Sequence, residues 1–176
     1  MLSEHIFYSG AIAILIGMIF YNYTGRDSSW IIVLCAWAPD LDLFLYHGAF
    51  HNIAFMIIFG IFMAFILKSV GIKYFDAFFF SVIGFGAHLL EDAMVFDEAY
   101  PFLWPFSTNN HGLELFPDVI SMRGRYIANF FRIANTEILI VGVLFLVLAI
   151  IIRTYFEGPM WIRWYMPEKL YLKLSG

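Results

Sequence analysis

Apolar residues run in long stretches along this chain, and most polar residues are gathered between them. The first stretch, Ile6 to Tyr23, is long enough to span a bilayer with little tilt. A turn follows at Thr24-Gly25-Arg26-Asp27-Ser28-Ser29, where Ser28 or Ser29 can cap the next helix. The second stretch starts at Trp30 and is interrupted by Pro39, Asp40 and Asp42; it reaches Tyr46 only if those acids are tolerated near one end. The third, Phe50 to Leu67, carries His51 near its start and leads into a basic turn, Lys68 to Lys73. The fourth, Tyr74 to Phe96, holds His88, Glu91 and Asp92 toward its far end. The fifth, Ile138 to Ile152, is the cleanest, and Arg153 stands where it can snorkel to the interface.

Two further segments read as interfacial. Val119, Ile120, Tyr126, Ile127, Phe130, Phe131 and Ala134 recur at helical spacing, with Arg123, Arg125 and Arg132 largely between them. That pattern predicts an amphipathic helix over 119–134 lying on the membrane. Trp161, Arg163, Trp164, Tyr165, Lys169 and Lys173 predict a headgroup-level anchor over 157–176. The expected fold class is all-α: a polytopic integral membrane bundle of about five hydrophobic segments plus the interfacial helix. The last transmembrane helix is placed at 138–156. No linker, low-complexity tract or internal repeat divides residues 1–176, so a single membrane domain is expected.

Composition supports this reading. Of 176 residues, 62% are hydrophobic and only 14% charged, with 21 Phe, 10 Tyr and 5 Trp. Mean hydropathy is +0.80. A soluble chain of this size has too little interior for so much apolar surface, whereas a bilayer solvates it. The net charge of −4 gives nucleic-acid binding no support. Cys35 is the only cysteine, which excludes an intrachain disulfide. The first basic residue is Arg26, so no cleavable signal peptide is expected.

Charge also orients the chain. With five spans, one side receives Arg26, Lys68, Lys73, Arg153, Arg163, Lys169 and Lys173, and the other Arg123, Arg125 and Arg132. The positive-inside rule then places the C-terminus in the cytoplasm and the N-terminus outside.

Ionisable residues at membrane depth are costly and are functional candidates by default. Here they are His5, Asp40, Asp42, His47, His51, His88, Glu91 and Asp92, and five spans bring all of them to one, non-cytoplasmic, face. Imidazole and carboxylate are the usual nitrogen and oxygen ligands of zinc and similar divalent ions. His47 and His51 are four apart, as are His88 and Asp92, so each pair shares one helical face. The set exceeds what one zinc ion requires, which leaves room for one or two ions, or for carboxylates that hold the histidines.

Each element also has a plainer reading. A lone His pair is a weak signal, Pro39-Asp40-Leu41-Asp42 suits a capped turn, and His5 suits an interfacial position. Glu91 points about 100° away from Asp92 around a helix, toward a supporting or solvent-facing position. The joint occurrence on one face raises the metal reading above these.

Several short segments carry a family resemblance. Trp37-Ala38-Pro39-Asp40-Leu41-Asp42, His47-Gly48-Ala49-Phe50-His51-Asn52 and Gly84-Phe85-Gly86-Ala87-His88-Leu89-Leu90-Glu91-Asp92 resemble, in order, motifs of the YdjM-like membrane-bound metal-dependent hydrolases. Trp104-Pro105 and the early His5 fit the same pattern. The resemblance covers about residues 5 to 106, the metal-motif region, and omits the C-terminal third. It implies a metal site more firmly than a substrate, and kinship with zinc-dependent phospholipases C. One departure stands out. His47 and His51 enclose three residues where the family encloses four, including an Arg. Either the Arg is deleted, or His47 occupies its position and Tyr46 that of the first His. His51 is a ligand in both alignments and His47 in only one.

The expected activity is metal-assisted hydrolysis of a lipid or lipid-linked phosphoester. His51, His88, Asp92, Asp40 and Asp42 are the expected ligands, joined by His5 and His47, with Glu91 as general base. Arg123 and Arg125 fall on the same face, where they suit phosphate oxygens or a plain anchor. The rival is a non-enzymatic membrane protein, either a metal-ion carrier or one with a structural metal.

Overall fold

The computed structural model describes residues 2–44, 49–95, 101–109 and 136–165. Among these, every regular element is helical: α1 (Leu2–Thr24), α2 (Trp30–Cys35), a 3-10 helix η1 (Pro39–Phe44), α3 (Ile53–Ser69), α4 (Tyr74–Val95), α5 (Thr136–Glu157) and a second 3-10 helix η2 (Pro159–Tyr165). Four of the five apolar stretches therefore become helices at about their expected positions. The predicted interfacial helix at 119–134 lies outside the described residues, as do Lys169 and Lys173.

Among the described residues, two helical segments, Ile6–Thr24 and Leu139–Glu157, are long and apolar enough to cross a membrane. The second stretch does not continue as one helix. Pro39 has no N–H and its ring excludes a continuing α-helix, so α2 stops at Cys35 and the chain resumes as η1.

The packing order follows from which helices touch. α1 lies against α5 on one side and against α2 and α4 on the other, and α3 packs on α4. Small residues make these contacts close: Ala13, Ala64 and Ala77 are buried with Ile31, Ile32, Cys35, Leu67 and Phe80. In lipid, where burying apolar surface gives no advantage over leaving it exposed, such close packing carries helix association.

Directions are fixed by a few pairs. Gly142 faces Phe7 and Tyr8, and Gly10 faces Leu146, so α1 and α5 run the same way. Arg26, just past the end of α1, pairs with Asp76 at the start of α4, 3.4 Å apart, so those two run oppositely. Gly60 faces Phe78 and Val82 while Gly86 faces Met56, so α3 and α4 are antiparallel. One end of the bundle thus collects the start of α1, η1, the start of α3 and the end of α4.

Toward the other end lies a buried ionic knot. Arg153, expected to snorkel, is 0% exposed. Its Nη1 lies 2.7 Å from Asp27 Oδ2, and its Nε lies 3.0 Å from Glu157 Oε2. The same Nη1 donates to the Ile14 carbonyl at 3.3 Å. The Tyr165 hydroxyl contacts Ser29 Oγ and donates to the Ala13 carbonyl at 3.0 Å. Burial first, then the Asp27 charge, pushes the Tyr165 phenol above its ordinary pKa, which keeps it a hydrogen-bond donor. Trp161 is buried, its ring under the Arg153 guanidinium at 5.1 Å, so this residue of the expected anchor faces the protein. Gly17 makes room: a Cβ there would come within 2.7 Å of Asp27 Oδ2 and 2.8 Å of Arg153 Nη1.

Candidate metal centre

Three chain segments deliver the site, each for a local reason. The break at Pro39 turns the chain out of α2 and places Asp40 in η1. His51 stands just before α3, where Asn52 caps the helix: Asn52 Oδ1 accepts from the Phe55 N–H at 2.8 Å and its Nδ2 donates to the Ala49 carbonyl at 2.9 Å. His88 and Asp92, four apart on α4, point from one face.

The side chains converge. His51 Nε2 and His88 Nε2 each lie 3.1 Å from the same Asp92 oxygen, Oδ2. Asp40 Oδ1 lies 3.8 Å from His88 Nε2. Ligand atoms of Asp40, His51 and His88 all fall within 4.8 Å of one another. His51, His88 and Asp92 are buried, while the Asp40 side chain is 17% exposed and marks the open side. The residues flanking these ligands in the chain join an apolar cluster, Ala38, Phe85 and Leu89 with Phe50, Phe55 and Phe102 against them.

His88 Nδ1 lies 2.7 Å from the Ala36 carbonyl oxygen. A carbonyl only accepts, so Nδ1 carries the proton. In a neutral ring Nε2 is then bare, and its lone pair faces the oxygens of Asp92 and Asp40. Lone pair against carboxylate is repulsive unless a cation lies between, either an added proton or a metal ion. A histidine with Nδ1–H on a carbonyl and Nε2 turned to carboxylates has the arrangement of a metal ligand with its outer support. The donor set of two imidazoles and carboxylates fits zinc or a similar divalent ion.

A family model described as YdjM inner membrane protein matches residues 1–160. The chain belongs to that family. No curated protein and no solved structure matches it. Membership carries the resemblance well past residue 106 and agrees with the membrane location that α1 and α5 indicate.

Within this family member the expected ligands fare differently. Asp40, His51, His88 and Asp92 come together. His5 lies in the first turn of α1, which begins at the same end, and Asp42 lies in η1; the side chains of both are outside those described. His47, Arg123 and Arg125 lie outside the described residues. Glu91 is buried at 7% exposure, which removes the solvent-facing alternative. Sequence reasoning missed Ala36, whose contribution is a backbone carbonyl and leaves no trace in residue type. It also missed Phe102, whose carbonyl accepts the Ile53 N–H at 2.9 Å and ties the 101–109 segment to the start of α3.

Proposed function

We propose that this protein is a membrane-bound metal-dependent hydrolase that acts on a lipid or lipid-linked phosphoester. The observation that carries the reading is the commitment of His88 Nδ1 to the Ala36 carbonyl, which turns Nε2 toward Asp92 and Asp40. His51, His88, Asp92 and Asp40 would hold the ion, with Asp42, His5 and His47 as further candidates. A divalent ion such as zinc, held by these residues, would supply Lewis acidity and lower the pKa of a water to near neutrality. Asp92 holds both imidazoles in register, and Asp40 stands at the exposed side where substrate would arrive. Glu91 is our candidate for the proton acceptor.

The topology we favour has five crossings, with the N-terminus outside and the C-terminus in the cytoplasm. The parallel run of α1 and α5 supports it, since two parallel spans put the start of one and the end of the other on opposite faces. The site would then lie at the outer face, at headgroup depth, which favours a lipid substrate.

Burial of His51, His88 and Asp92 favours a second reading, a closed structural ion in a non-enzymatic protein. A panel of phospholipids and isoprenoid phosphates, incubated with solubilised protein with and without chelator, separates the two. The hydrolase reading expects chelator-sensitive release of phosphate or headgroup that Asp92→Asn abolishes. A folded, metal-loaded protein that turns over nothing in the panel supports the structural reading.

A further inference from the structure

Two of the contacts between α2 and α4 lie one helical turn apart. At the first contact Gly84 faces Ile32 so closely that a Cβ on Gly84 would overlap the Ile32 carbonyl oxygen and sit 3.0 Å from its carbon. At the second, His88 Nδ1 meets the Ala36 carbonyl at 2.7 Å. Residues 84 and 88 match 32 and 36, so the same four-residue step separates these two contacts on both helices, and Cys35 Sγ donates to Ser81 Oγ at 3.4 Å beside them. Ala36 caps the end of α2, where the last carbonyls lack intrahelical partners, and the His88 N–H supplies one. Four residues beyond Ala36 the same segment delivers Asp40.

We propose that Gly84 is a positioning residue for the metal centre. Its missing side chain lets the α2 backbone rest directly on α4, and that seat sets two things at once. It holds the Ala36 carbonyl at hydrogen-bond distance from His88, which fixes the proton on Nδ1 and leaves Nε2 for the ion. It also sets the depth at which η1 presents Asp40. A methyl group at Gly84 meets rigid backbone, so α2 must move away, and the His88 hydrogen bond and the Asp40 approach are lost together. Gly86, two residues on, is the internal control. Its Cβ would meet only the Met56 sulfur, at 3.4 Å, which is ordinary contact with the end of a flexible side chain. Gly84→Ala and Gly86→Ala gain the same helix propensity and differ in what they strike.

The inference rests on the metal reading for one readout and is independent of it for the other. Full-length wild type, Gly84→Ala and Gly86→Ala are titrated with Co²⁺, followed by its visible absorption. The proton position on His88 is read by ¹⁵N NMR of histidine-labelled protein, assigned with His88→Gln. Gly84→Ala is expected to bind Co²⁺ at least about tenfold more weakly, with an altered band, while Gly86→Ala stays within about twofold of wild type. Wild type and Gly86→Ala are expected to carry the His88 proton on Nδ1, and Gly84→Ala to lose that preference. Wild-type affinity and an unchanged Nδ1–H in Gly84→Ala overturn the proposal. If wild type takes up no Co²⁺, the metal reading fails by itself and the proton position decides this one. If Gly84→Ala does not fold, wild type still decides: a His88 proton on Nε2 overturns the seat, and one on Nδ1 coupled across the hydrogen bond to Ala36 supports it.

Discussion

Arg153 and Asp27 form an ion pair 2.7 Å apart in which the side chains are 0% and 1% exposed. The pair joins the end of α5 to the turn between α1 and α2, and Glu157, Tyr165, Ser29 and the Ile14 carbonyl complete it. Removing one partner leaves a buried charge without its counterion, which typically costs about 3–5 kcal/mol. Asp27→Asn is therefore expected to lower the unfolding midpoint in detergent markedly, and the double change Asp27→Asn, Arg153→Met to recover part of the loss. A single variant as stable as wild type would show that the knot contributes little.

His88 and Asp92 lie on one face of α4, and His88 gives Nε2 to the site. His88→Ala is expected to abolish stoichiometric metal while leaving the protein inserted and helical, since it removes a ligand and one hydrogen bond to the Ala36 carbonyl but leaves the apolar packing of Ile31, Ile32 and Cys35 on Ala77 and Phe80 in place. Elemental analysis of the purified variant checks this. Full metal content in His88→Ala would mean that the residue is not a ligand.

Asp92 sits between two imidazoles, and its charge is what both face. Asp92→Asn keeps the shape and removes the charge, so metal affinity is expected to fall by about tenfold or more while the thermal midpoint in the metal-free state changes little. Competition with a chromophoric chelator measures the affinity. Unchanged affinity would place the ion elsewhere.

The parallel run of α1 and α5 predicts termini on opposite faces, with the basic turn at Lys68 to Lys73 on the C-terminal side. Cysteine labelling from each side, in a Cys35→Ser background, tests it. Labelling of both termini from one side would exclude an odd number of crossings.

Much of this was legible in the sequence. The i, i+4 step of His88 and Asp92 and the apolar run before them place two donors on one helical face without any tertiary information. Pro39 marks the break that delivers Asp40, although the sequence does not say that α2 and η1 split one stretch. Arg153 was misread because its position at the end of an apolar run is also that of a snorkelling residue. Its partner, Asp27, lies far away in sequence and is brought close only by α1 packing on α5. Gly84 stands out as a glycine within an apolar helix, but the carbonyl it accommodates belongs to another element.

The central claim is that Asp40, His51, His88 and Asp92 hold one divalent cation. X-ray absorption at the zinc edge of the purified, zinc-loaded protein measures that shell directly. The account predicts a stoichiometric ion with two imidazole nitrogens and carboxylate oxygens at roughly 2.0–2.2 Å. A protein that retains no zinc, or whose zinc has no imidazole in its shell, would contradict it.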